Sequence, residues 1–168
     1  MAYYKEIVTK AVIGKGKKTT KEKFNVDIPS IDNVLGCWVI NHNFSGNIID
    51  SNIIVSGNYD VNIWYSYDNN TKTNVVIKTF NYSDPMKVRI KENSKLTNNS
   101  EIIVRTLNQP SVIDVVVEDS KVNLVIEKSM GVEVIGDTKV KVSVSDDYDE
   151  YEEIEDEEDI DINVNYLK

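Results

Sequence analysis

The chain has 168 residues, 28% of them charged and 40% hydrophobic, and 28 acidic side chains outnumber 19 basic ones for a net charge of −9. That length suits one domain, or one domain with an appendage. No apolar run approaches the roughly 18 residues of a membrane span, and the start MAYYKEIVTK has no apolar signal-peptide core. With a single cysteine, Cys37, and so no intrachain disulfide, the chain is expected to stay in the reducing compartment where it is made, without membrane insertion.

Strand signals begin at once. The first two candidate strands, 4–13 and 22–28, are separated by a basic stretch, since residues 5–23 carry seven lysines against Glu6 and Glu22. Within it AVIGKGKK (11–18) comes close to a phosphate-binding loop, with Ala11 in place of the first glycine. Lys18 stands where Ser or Thr would hold magnesium, and no amphipathic helix follows to supply an anion-binding N-terminus. The segment reads as a basic loop after a strand. The next candidate, 34–43, holds Cys37 and the only histidine, His42. Two ligands do not make a zinc site, and the five-residue offset places the pair on opposite faces of a strand. They read as a core cysteine and a hydrogen-bonded histidine rather than a nucleophile and its base.

Residues 53–73 carry the strongest pattern. Ile53, Val55, Gly57, Tyr59, Val61, Ile63, Tyr65 and Tyr67 alternate with Asn52, Ile54, Ser56, Asn58, Asp60, Asn62, Trp64 and Ser66. Side chains on a strand alternate between faces, so 52–67 is a half-buried antiparallel strand. Trp64 is the exception on the polar face, either covered by another strand or loop or acting as an interface anchor. Turn residues 68–71 and a return strand over 72–82 complete a hairpin. Further candidates are 86–91, 101–108, 112–118, 121–128 and 130–144, with Asp119-Ser120 as a two-residue hairpin turn and the loop-like Lys91–Ser100 as a possible division between two lobes. About ten short strands without a helical period predict an all-β antiparallel sandwich over residues 1–145.

Alternation stops at the tail, 146–168. Twelve acids and only Lys168 give it −11, whereas residues 1–145 hold 18 Lys and Arg against 16 Asp and Glu. Such a run cannot bury enough apolar surface to offset its ordering entropy, so it is expected to be disordered by itself. It lacks the spacing and turn glycine of a calcium loop, and its charge would compete with nucleic acid for the lysine arm. No cofactor or nucleic-acid partner is therefore expected. Glu152, Glu153, Glu155, Asp156, Glu157 and Glu158 are candidates for contacting cationic partners. Ile160, Ile162, Val164 and Tyr166 resume period two within 160–167, as a frayed end or as a docking strand.

No catalytic grouping survives this reading, which leaves a self-associating structural protein or a binding module for a charged ligand or surface. The segments KEIVTKAVIGKGKK (5–18), GCWVINHNF (36–44), GNYDVNIWYSYDNNTKT (57–73), LNQP (107–110) and VIGDTKVKVSV (134–144) resemble, in the same order, the outer spore-coat morphogenetic family CotE. The resemblance implies a non-enzymatic protein of the mother-cell cytoplasm, deposited on the spore coat as a homo-oligomer. It also implies targeting through an inner-coat morphogenetic protein and recruitment of outer-coat proteins through the C-terminal part. Trp38, Asn41, Tyr59, Asp60, Trp64, Tyr65 and Tyr67 fall in the matching segments and are implicated in the shared fold or lattice. If body and tail are independent, the chain shortened to residues 1–145 will keep its far-UV β spectrum and its melting temperature; a fall of several degrees would show the tail packing on the body.

Overall fold

The computed structural model describes residues 3–92 and 94–144, and among them every regular element is a strand. In chain order these are β1 (Tyr3–Asp27), β2 (Ile31–Ile49), β3 (Asn52–Tyr67), β4 (Lys72–Met86), β5 (Arg89–Ile90), β6 (Glu101–Glu118) and β7 (Lys121–Val144). They form a four-stranded sheet in the order β5-β1-β7-β6 and a three-stranded sheet in the order β2-β3-β4. The chain divides into two compact units, Val8–Thr138 and the chain ends (residues 1–7 with 139–168). In the second unit, Tyr3, Tyr4, Val140 and Val142 are exposed apolar positions of β1 and β7.

The all-β antiparallel class holds, but seven strands replace the expected ten because several shorter candidates are single long ones. Residues 4–13 and 22–27 belong to β1, which ends one residue short of the expected 28, so AVIGKGKK is strand and not loop: Lys15, Lys17, Lys21 and Lys23 are exposed while Gly16, Lys18 and Glu22 are partly covered. Residues 101–108 and 112–118 join as β6 across register shifts between Thr106 and Asp114. Those bulges, on the edge strand of the sheet, accommodate Pro110, which cannot donate to a ladder. Residues 121–128 and 130–144 join as β7. Turn chemistry falls where the sequence put it. Asp119 and Ser120 both have positive φ (45° and 66°), the conformation of a tight two-residue hairpin, and Asp68, Asn69 and Asn70 are left-handed as well. Lys91–Ser100 lies between β5 and β6.

The core lies between the sheets. The predicted face of β3 supplies Ile53, Val55, Tyr59, Val61 and Ile63, which meet Ile13 and Val26 of β1 and Val122, Leu124, Ile126, Val132 and Val134 of β7. Phe24 of β1 stacks on Phe80 of β4 at 4.0 Å and meets Tyr59 edge to face at 6.4 Å, so aromatic packing ties one sheet to the other.

Gly57 is the position in β3 where this packing tolerates no side chain. It pairs with Phe44 on one side and Tyr82 on the other, and a Cβ there would run into the Asn43 carbonyl and the Tyr82 hydroxyl. Gly57→Ala is therefore expected to destabilise the fold by about 1–3 kcal/mol, the usual cost of overpacking, read as a lowered denaturation midpoint at unchanged m-value; an unaltered midpoint would mean that the Asn43 backbone and Tyr82 relax freely.

Candidate interaction face and buried charge cluster

The outer face of β2-β3-β4 can be read in rows across the three strands. Register gives Gly36–Trp64–Val75, Trp38–Asn62–Ile77, Ile40–Asp60–Thr79, Asn43–Asn58–Asn81, Ser45–Ser56–Ser83 and Asn47–Ile54–Pro85. One half is aromatic and aliphatic, and the other is a run of amides and hydroxyls. Trp38 is 43% exposed, Trp64 41% and Ile77 60%, so no strand or loop of the described residues covers Trp64. The two indoles sit over the bare backbone of Gly36, where a Cβ would lie 3.3 Å from Trp38 and 3.6 Å from Trp64. Asn62, in the second row, is buried, and its Oδ1 has no hydrogen-bond partner among the described residues.

In these rows Asp60 is the only ionisable side chain. Its carboxylate accepts from Thr79 at 2.5 Å and from the Asn41 amide at 3.0 Å, and these bonds, Thr79 first, hold its pKa below the ordinary aspartate value. Asn41 reaches it because it occupies a bulge in β2, with φ 56° at the register shift between Ile40 and Asn43. Of the other predicted contact residues, Tyr65 is buried and Tyr67 half-buried. They stand on the core face of β3 with their rings 6.0 Å apart, so Tyr65 belongs to the packing and not to the exposed surface. Glu152, Glu153, Glu155, Asp156, Glu157, Glu158, Ile160, Ile162, Val164 and Tyr166 lie outside the described residues.

The same bulge overturns the predicted separation of Cys37 and His42. One extra residue in a strand reverses the parity of everything after it, so His42 turns to the core side, where its Nε2 lies 2.6 Å from the Tyr82 hydroxyl. Burial pushes the Tyr82 pKa up to about 12, with the Asp84 and Glu22 charges adding to it, so the phenol keeps its proton. Burial also lowers the His42 pKa, a side-chain bond donated by the ring to Gln109 opposes it, and the Lys128 charge adds to the lowering. Cys37 is half-buried rather than fully in the core, and burial raises its thiol to about 11, the opposite of an activated nucleophile.

Beyond Tyr82 lies a group the sequence reading missed. Lys128 of β7 is 2% exposed, and its Nζ donates to Thr20 Oγ1 at 2.9 Å and lies 3.1 Å from Asp84 Oδ2 and 3.7 Å from Glu22 Oε1. It also rests 4.0 Å from the centre of the Tyr82 ring. Thr20 and Glu22 come from β1 and Asp84 and Tyr82 from β4, so one ammonium spans both sheets. A signal was available: Val122, Leu124, Ile126, Lys128, Met130, Val132 and Val134 form one strand face, and the lysine interrupts an otherwise apolar alternation. Among the described residues no group of three or more His, Cys, Asp or Glu could hold a metal ion, and no helix is long and apolar enough to cross a membrane.

These features define a β-sheet protein with an exposed, charge-poor face and a polar cluster closed inside its core. Over residues 3–168 the chain matches the family of outer spore coat protein E (CotE), and it belongs to that family. It is thus an outer spore coat protein of a structural family. No curated protein and no solved structure matches the chain.

The lowered His42 pKa sets a pH dependence. The unfolded chain takes up a proton near 6.5 that the folded chain resists, so stability is complete above that value and falls as pH drops through it toward the folded pKa. His42→Gln should flatten this part of the stability-versus-pH curve while leaving the neutral-pH spectrum intact; a slope that persists in the variant would place it on another group.

Proposed function

We propose that the protein is a self-assembling scaffold of the outer spore coat, in which copies dock through the outer face of β2-β3-β4 and the acidic tail recruits outer-coat proteins. Family membership supports the coat role, and the observation that carries the assembly role is the composition of this face. Two tryptophans, Ile40, Val75 and Ile77 stand exposed beside rows of asparagine and serine, with Asp60 the lone charge. Depletion of charge around aromatic anchors is the composition of an interface centre. Amides and hydroxyls carry both donors and acceptors, so the face can meet a second copy of itself without a Coulomb penalty. A module for a charged ligand or surface, the alternative, would place lysines or acids there.

In this reading the protein acts in the mother-cell cytoplasm and reaches the forespore surface through an inner-coat morphogenetic protein. Each tail contact is weak, since exposed ion pairs contribute only ~0–1 kcal/mol, and the lattice multiplies them by avidity. Light scattering and sedimentation of Trp38→Ser/Trp64→Ser should show small species where the parent forms large ones, with the β spectrum kept. Neutralising Glu152, Glu153, Glu155, Asp156, Glu157 and Glu158 should leave assembly intact and reduce capture of outer-coat proteins. Undiminished assembly in the double tryptophan variant would remove this face from the mechanism.

A further inference from the structure

The Lys128 cluster has the parts of a self-sealing cross-link. We propose that Lys128 and Asp84 condense to an intramolecular isopeptide bond between the two sheets, with Glu22 as proton carrier. The inference stands apart from the assembly role, because it concerns the interior of a single copy.

Three observations carry it. First, Nζ lies 3.1 Å from Asp84 Oδ2, so the amine and the carboxyl group whose carbon it would attack are in direct contact. The pair is held there, because Thr20 takes one N–H at 2.9 Å and the Tyr82 ring lies 4.0 Å away. Second, Lys128 is 2% exposed and the Asp84 side chain 14%, so water, the reagent that drives amide formation backwards, has little access. Third, a second carboxylate, Glu22 Oε1, stands 3.7 Å from the same nitrogen. One ammonium needs one carboxylate for neutrality; the other is available as an acid–base group.

The step balances with no outside reagent. A proton passes from the Lys128 ammonium to the Asp84 carboxylate along their 3.1 Å contact, giving a neutral amine and a neutral acid. The Nζ lone pair attacks Asp84 Cγ and forms the C–N bond, giving a tetrahedral centre. Glu22 takes a proton from that nitrogen and returns it to the departing hydroxyl. The C–O bond breaks, one water leaves, and the amide remains. Nothing is oxidised or reduced, and Glu22 ends as it began. The product links the β4 position to the β7 position and closes the intervening chain into a loop, which limits the unfolded state as a disulfide does but is indifferent to reducing agents.

Intact-mass spectrometry of the purified full chain, kept folded before analysis, tests this directly. The expected mass is one water below that of the sequence, and a protease digest should contain the Lys128 peptide joined to the Asp84 peptide. Lys128→Met should carry its full mass. Glu22→Gln should remain largely at full mass over the time in which the parent is converted. Asp84→Asn gives the sharpest readout, since the same attack on an amide releases ammonia, so its deficit should be one ammonia and not one water. A parent chain with full sequence mass and an intact β spectrum after prolonged incubation would overturn the proposal and leave an ion pair only. A water deficit that persists in Lys128→Met would do the same, because the loss would then lie elsewhere.

Discussion

A positive charge in the middle of a sheet-to-sheet core organises much of this structure. Lys128 occupies a place where the alternation of β7 calls for an apolar side chain, and an unpaired ammonium there would cost several kcal/mol. Its neighbours answer that cost: a carboxylate from each sheet, a threonine hydroxyl and an aromatic face. Tyr82 then couples the ammonium to His42, which is how a bulge in β2 and a lysine in β7 come to share one polar network. Gly57 belongs to the same arrangement, since the space it leaves is where the Tyr82 hydroxyl and the backbone of the bulge approach.

Inside and outside are organised on opposite terms. The interior spends its polar groups on one concentrated cluster surrounded by valine, isoleucine and aromatics. The outer face of the three-stranded sheet spreads uncharged amides and hydroxyls over its lower rows and gathers its apolar bulk around two indoles. In a chain with 28% charged residues, a sheet face with one carboxylate that is satisfied by its own neighbours is a selective feature. Edge strands that could pair without limit are an aggregation hazard, and β4 carries Lys72 and Lys78 along its exposed length.

The sequence by itself determined the class of fold, the core face of β3, the hairpin turns at 68–70 and 119–120, the segregation of charge into body and tail, and the resemblance to the coat family. Each of these rests on local information: a period of two, residues that tolerate positive φ, or a count of charges. Strand lengths were not legible, because β1 runs through glycines and lysines and β6 through a proline, residues that interrupt a sequence pattern but not a ladder with bulges. The side on which His42 falls was misjudged for the same reason, since a bulge costs one residue and leaves no fixed mark in the sequence.

Tertiary structure alone decided which rows form on the outer face and which residues meet around Lys128. Trp38, Asn62 and Ile77, or Thr20, Asp84 and Lys128, lie far apart in the chain and come together through register and sheet packing. Sequence periodicity says which way a side chain points relative to its own strand. It carries no term for what stands opposite, because that depends on how strands align and how two sheets close on each other.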